Sequence, residues 1–145
     1  MKNVQDLLNK KDNTTIYSVS PVSSVYQAIE LMSEHHVGAL PVLQDRSLVG
    51  IISERDYARK VILKNKSSKA TRVSEIMTRH VICVSQEQQV NECVNLMLKN
   101  HIRHLVVTQE GTVVGMLSLR DLFVEIIDDQ AETISHLEHY IRGET

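Results

Sequence analysis

The sequence predicts an α+β fold built from α/β-type repeats: two βαββα copies packed sheet to sheet, followed by a long C-terminal helix. Three observations carry this expectation. They are a gapless internal duplication, a switch within each copy between the two-residue and 3.6-residue hydrophobic periods, and a heptad-like apolar spacing near the C-terminus.

The duplication is read directly from the residues. Val49-Gly50-Ile51-Ile52-Ser53-Glu54-Arg55-Asp56 matches Val114-Gly115-Met116-Leu117-Ser118-Leu119-Arg120-Asp121 at a displacement of 65 positions. The same displacement carries Val19-Ser20 onto Val84-Ser85, Val25 onto Val90, Leu31-Met32 onto Leu96-Met97, and His36 onto His101. No insertion is needed between Ile16 and Tyr57. Chance does not keep Gly, Ser, Arg and Asp in register together with the apolar pattern.

In the first copy, Ile16 to Val19 is a short β-branched and aromatic run, read as a strand that ends at Ser20-Pro21. Ser23 or Ser24 then caps a helix whose Val25, Ala28, Ile29 and Met32 share one face. Two strands follow, Ala39 to Leu43 and Leu48 to Ile52, around the polar turn Gln44-Asp45-Arg46-Ser47. Pro41 has no N–H to give a ladder, which favours an edge position. A helix is expected from Glu54 to Leu63. The second copy repeats this with a strand at Val81 to Val84, a helical face of Val90, Cys93, Val94 and Met97, and a hairpin of His104 to Thr108 with Val113 to Leu117. Lys64 to Lys69 reads as a polar connector, and Val73 to Met77 as one helical turn leading into copy 2. The expected organisation is a helical lead-in over 1–14, repeat 1 over 15–64, a linker over 65–78, repeat 2 over 79–125 and a C-terminal helix over 126–145. One repeat alone leaves an apolar sheet face uncovered, so the pair is the folding unit.

Composition narrows the function classes. Aromatic residues make up 3%, with no Trp, so the core rests on Val, Ile, Leu and Met, and stacking platforms for single-stranded nucleic acid are scarce. A net charge of -2 disfavours a polyanion binder, so no nucleic-acid partner is expected. Neither a signal peptide nor a membrane span is seen, and the expectation is a cytoplasmic protein with no membrane partner. Cys83 and Cys93 form no CxxC pair and are expected to be buried, reduced thiols. His136 and His139 share a helical face with Glu132 a turn earlier, but a solvated polar face is the expectation and no metal is assigned.

The segments Gly50 to Asp56 and Gly115 to Asp121 cross from a strand into a helix. Ser53 with Asp56, and Ser118 with Asp121, have the spacing of a capping box, worth about 1 kcal/mol per cap. The same geometry suits a nucleotide. Free N–H groups and the positive dipole end favour phosphate, an Arg adds a charge-assisted contact, and a carboxylate accepts the protons of a vicinal diol. Both readings hold together, because a cap leaves other donors free.

These paired Gly-h-h-Ser-x-x-Asp elements (h, apolar), each closing a strand-helix-strand-strand-helix copy, resemble CBS (cystathionine-β-synthase) domains. So do His36-Val37-Gly38-Ala39-Leu40-Pro41-Val42 and His101-Ile102-Arg103-His104-Leu105-Val106-Val107. The resemblance covers roughly residues 14–125 and extends to small stand-alone bacterial CBS pairs. It implies a pair with pseudo-twofold symmetry and two clefts between the copies, one or both taking AMP, ADP, ATP, NAD or a related adenosyl ligand. By position, Asp56 and Asp121 would hold ribose, and Ser53, Arg55, Ser118 and Arg120 would face phosphate, with Arg103 a further candidate. Ile16, Val37, Gly38 and Ala39 would flank adenine in one cleft, and Val81, Ile102 and His104 in the other. Val106 departs from the family by standing where proline is usual. Together with Gly38 against Arg103 and Glu54 against Leu119, it predicts unequal clefts.

Phe123, Ile127, Gln130, Ile134, Leu137 and Ile141 are spaced 4, 3, 4, 3, 4. The alternatives are a helix docked on its own domain and a contact between two copies, and the homodimer is favoured. The expected function is a non-catalytic regulatory or energy-sensing module acting through the homodimer or an unidentified effector protein. Ligand would shift the angle between the copies or order the Lys64–Thr71 connector. The rivals are a structural adaptor with empty clefts and a nucleotide-processing enzyme.

Overall fold

The computed structural model describes residues 2–11 and 15–143. Met1, residues 12–14 and residues 144–145, which belong to the expected lead-in and C-terminal segments, lie outside the described residues. The elements in order are α1 (Val4–Lys10), α2 (Val25–His35), β1 (Ala39–Gln44), β2 (Ser47–Ser53), α3 (Glu54–Tyr57) running into a π-helical turn (Ala58–Ile62), α4 (Val73–Ile76), β3 (Cys83–Val84), α5 (Val90–Asn100), β4 (His104–Gln109), β5 (Thr112–Ser118) and α6 (Leu119–Ile141).

Each repeat centres on an antiparallel hairpin. Ala39 pairs with Ser53 in β1–β2, and His104 pairs with Ser118 in β4–β5. The two-residue turns place Asp45 and Arg46, and Glu110 and Gly111, at positive φ, the geometry that matches the twist of the flanking strands. Ser24 caps α2 as the sequence predicts, and Val25, Ala28 and Met32 are buried. In α5 the matching set is Val90, Cys93 and Met97.

The first strand of copy 1 departs from expectation. Ile16 to Ser18 form no strand, and only an isolated parallel bridge joins Val19 to Val42. In copy 2 the Val106 N–H donates to the Ile82 carbonyl at 3.4 Å, and Cys83 and Val84 pair with Val106 and Val107. Pro41 occupies the place of Val106, so the equivalent bond to Tyr17 has no donor. What survives is Val19 N–H to the Pro41 carbonyl at 3.2 Å and Leu43 N–H to the Val19 carbonyl at 2.9 Å. Copy 1 is therefore a two-stranded sheet and copy 2 a three-stranded one. The strand expected over Val81 to Val84 is shortened to Cys83–Val84.

Two apolar cores form, and each borrows a helix from the other repeat's lead-in. Val25, Met32, Leu40 and Ile52 of copy 1 enclose Val73, Ile76 and Met77. Val90, Met97, Leu105 and Leu117 of copy 2 enclose Val4 and Leu7. Docking uses the same backbone bonds twice. Val4 N–H meets the Gln88 carbonyl and Gln5 N–H that of Gln86, while Val73 N–H meets the Ser23 carbonyl and Ser74 N–H that of Pro21. This exchange ties the repeats into one body, with β2 and β5 in contact between them.

Further details add to the expectations or differ from them. The Glu54–Leu63 helix forms over residues 54–62, and after Tyr57 it widens into a π turn that keeps Val61 buried while Lys60 reaches Asp56 and the Ile76 carbonyl. The Lys64–Thr71 connector is already tied down: Tyr26 N–H bonds the Ser68 carbonyl, and Thr71 N–H and Oγ1 both donate to Ser67. Cys83 is exposed, and only Cys93 is buried. The long helix forms as expected, but only Leu122 and Glu125 of α6 are buried, so its distal part does not dock on its own domain. Among the described residues no helix is long and apolar enough to cross a membrane.

Candidate functional site

A cavity of about 900 Å³ opens between the repeats. Copy 1 supplies Ile16, Tyr17, Val37, Gly38 and Ala39, copy 2 supplies Met116, Leu117, Ser118, Arg120 and Asp121, and the lead-in supplies Leu8 of α1 and Lys11 just after it. Its size and half-apolar lining suit a small organic ligand. The apolar wall forms because the chain before β1 leaves α2 through His36, held in the left-handed region at φ 55, and so turns Val37 to Ala39 across the cleft. The polar wall is the start of α6.

There the capping box predicted from sequence is present. Asp121 N–H donates to Ser118 Oγ at 3.1 Å, and Ser118 N–H donates to Asp121 Oδ2 at 2.8 Å. Lys11 Nζ lies 3.2 Å from the same Oδ2 and donates to the Met116 carbonyl at 3.0 Å. Arg120 is exposed on the cavity rim and makes no hydrogen bond or ion pair among the described residues.

His104 also lines this cavity, which corrects its expected place beside Val81 and Ile102. Ile102 packs against the core of copy 2, whereas the imidazole of His104 fills the space left by Gly38. A Cβ on Gly38 would sit 3.3 Å from His104 Cε1. Burial pushes the His104 imidazole below its ordinary value against the pull of Asp121, with Arg103 and Lys11 adding to the drop. The ring is thus neutral at neutral pH, able to donate from one nitrogen and accept at the other.

The twin motif makes the same kind of contacts. Asp56 Oδ2 accepts from Ser53 N–H at 3.0 Å and from Ser53 Oγ at 3.1 Å, and Lys60 Nζ sits 3.1 Å from Oδ1. Arg55 donates to the His101 carbonyl at 3.3 Å. Ser53, Arg55, Asp56, Arg103, Val81 and Ile102 are absent from the cavity lining. The structure therefore brings together Ile16, Val37, Gly38, Ala39, His104, Ser118, Arg120 and Asp121, and leaves the other six candidates apart.

Sequence reasoning missed Lys11, Leu8, Met116 and the stacked pair Tyr17–His35, whose ring centroids are 3.7 Å apart at the cavity mouth. One signal existed for α1. Val4-Gln5-Asp6-Leu7-Leu8 resembles Val73-Ser74-Glu75-Ile76-Met77 at a displacement of 69, four more than the rest of the repeat. Nearby, buried Glu125 receives Lys10 at 2.7 Å and Lys2 at 3.2 Å. Burial pushes its carboxyl up, but the two lysines outweigh this and hold it below the usual range. Among the described residues no three His, Cys, Asp or Glu side chains gather as a metal site.

The CBS domain family model matches residues 4–63 and 73–128. The chain belongs to this family. Each matched segment begins at one of the exchanged lead-in helices, and the whole is a CBS pair. A CBS domain-containing mitochondrial protein of Arabidopsis thaliana, CBSX3, is 39% identical over 125 residues; the match covers 83% of this chain and 61% of that relative's length. A solved CBS-domain protein from Burkholderia ambifaria MC40-6 superposes with a TM-score of 0.86 at 45% identity, over 89% of this chain and 96% of its own. The CBS domain pair of protein MJ0100 has a TM-score of 0.79 at 26% identity, over 88% of this chain and 98% of its own, and was solved with 5′-methylthioadenosine and S-adenosyl-L-methionine.

Proposed function

We propose that this CBS pair is a non-catalytic regulatory or energy-sensing module of the cytoplasm that binds an adenine nucleotide of the AMP, ADP, ATP or NAD type in the Asp121 cleft. The observation that carries this is the facing of two unlike walls across one cavity, apolar Ile16, Val37 and Ala39 against the Ser118–Asp121 helix start. A base fits the first wall, and a ribose phosphate fits the second. Asp121 accepts the diol protons, and free Arg120 and the start of α6 take the phosphate. The bound adenosyl ligands of the MJ0100 pair support the ligand class.

The clefts are unequal in this reading, because Ser118, Arg120 and Asp121 line the cavity and Arg120 is unengaged among the described residues, whereas Arg55 donates to the His101 carbonyl. A catalytic reading is not supported. His104 lies opposite Ser118 in the ladder, but no hydrogen bond joins them among the described residues, and Ser118 Oγ is engaged by the Asp121 N–H.

Calorimetry with AMP, ATP and NAD tests the proposal. The native chain is expected to bind at least one of them, Asp121→Ala to lose about a hundredfold in affinity, and Asp56→Ala to stay within about threefold. Both variants lose one capping box, so a difference between them reports the cleft and not the cap. No heat with any adenine compound would favour the empty-cleft adaptor.

The signal passes, in this proposal, through a homodimer or an effector protein. Ile127, Ile134, Leu137 and Ile141 lie exposed along one side of α6, spaced as the sequence predicts for a helix pair. Removal of residues 128–145 is expected to halve the mass measured in solution, and an unchanged dimer mass would overturn this role for α6.

A further inference from the structure

We propose that Lys11 sets the ligand preference of the Asp121 cleft, selecting adenosyl compounds with an anionic 5′ substituent over neutral or cationic ones. This rests on the nucleotide reading above and adds the residue that discriminates among its ligands.

The inference begins where the pseudo-twofold symmetry fails. Leu8 lies over Gly115 as Met77 lies over Gly50. After Met77 the chain extends, and Thr78 and Ile51 exchange two backbone bonds of 2.8 and 2.9 Å that close the edge of β2. After Leu8 the chain stays helical to Lys10, since this lead-in is four residues longer. Among the described residues no lead-in backbone bonds Met116, the counterpart of Ile51, and the Lys11 ammonium takes its carbonyl. The same ammonium lands on Asp121 Oδ2, with its side chain 35% exposed and that of Asp121 26% exposed.

A second asymmetry makes Lys11 matter. Asp56 is neutralised from its own helix by Lys60. The matching position in copy 2 is Glu125, which is held by Lys10 and Lys2. Asp121 thus depends on Lys11, the one cation paired with it among the described residues.

A ribose diol donates two hydrogens to Asp121 but brings no charge. For both carboxylate oxygens to accept from the diol, Lys11 must give way at Oδ2, which is already shared with the Ser118 N–H. The ammonium is then left partly desolvated on the same wall as Arg120, and Glu125 is already spoken for. Asp128, the remaining carboxylate of the cavity, is exposed and acts on Lys10. A phosphate restores the balance by taking both cations. A methylthio group leaves them uncompensated, and a sulfonium adds a third positive charge.

Calorimetry with AMP, 5′-methylthioadenosine and S-adenosylmethionine on native protein, Lys11→Met and Lys11→Arg tests this. The native chain is expected to favour AMP over methylthioadenosine by at least about tenfold. Lys11→Met should narrow that ratio to within about threefold, with AMP weaker and methylthioadenosine tighter, while Lys11→Arg keeps it. An unchanged ratio in Lys11→Met, with binding intact, overturns the role of Lys11 and leaves the nucleotide reading standing. A native chain that binds none of the three compounds overturns the preference, and one that also binds neither ATP nor NAD overturns both.

Discussion

Repeat 1 and repeat 2 carry the same Gly-x-x-Ser-x-x-Asp helix start, the same left-handed histidine after the long helix, and the same docking bonds for a borrowed helix. They differ in what closes around these shared parts. Repeat 1 has Pro41 and loses a strand, and it has Lys60 and neutralises its own aspartate. Repeat 2 has Val106 and keeps the strand, and it has Glu125 and leaves Asp121 to a lysine from α1. A duplicated fold can therefore keep its architecture through conserved backbone bonding while a few side chains decide which copy offers an open site.

The largest stability effect expected from this comparison is at the paired glycines. A Cβ on Gly50 would meet Met77 Sδ at 2.7 Å and the Thr78 carbonyl oxygen at 3.0 Å, and that carbonyl is fixed by its bond to Ile51. Gly50→Ala should cost about 2–3 kcal/mol in chemical denaturation, because backbone must move. At Gly115 the nearest atoms are the ends of the Leu8 side chain, at 2.8 and 3.2 Å. Gly115→Ala should cost about 1 kcal/mol or less, since Leu8 can turn aside. Equal losses would mean that the two lead-in helices are held alike, contrary to the contrast between Thr78 and Lys11.

A smaller effect is expected from exchanging Pro41 and Val106. Val106→Pro should destabilise by about 1–2 kcal/mol, through the lost bond to Ile82 and release of β3. Amide exchange over Cys83–Val84 should accelerate with it. The reverse change, Pro41→Val, restores a donor opposite Tyr17 and should shift stability by less than about 1 kcal/mol. Slower amide exchange at Ser18 and Val19 in that variant would identify the proline as the cause of the missing strand. No change there would assign the loss to the residues before Val19.

Much of this molecule was legible in the residues. The hairpins, the buried faces of α2 and α5, both capping boxes, the one-turn α4 and the continuous α6 follow from local pattern, because period, cap and turn chemistry act over a few residues. The resemblance to CBS domains, carried by the twin motifs, is matched by the family segments 4–63 and 73–128. The π turn within the Glu54–Leu63 helix had no local signal, and the exposure of Cys83 depends on what packs nearby.

The sequence by itself determined that two like copies exist, where the helices after Ser24, Ser53 and Ser118 start, and which residues were candidates for a nucleotide. Only the tertiary structure decided how those residues meet. It joins Asp121 of one copy to Ile16, Val37 and Ala39 of the other, places His104 over Gly38, and brings Lys11 onto Asp121 across 110 positions of chain. The physical reason is that capping and periodicity are short-range, whereas the partner of a charged side chain depends on which distant backbone leaves an edge open. Here a lead-in four residues longer leaves the Met116 carbonyl and Asp121 to a lysine, and no local pattern in the chain records that meeting.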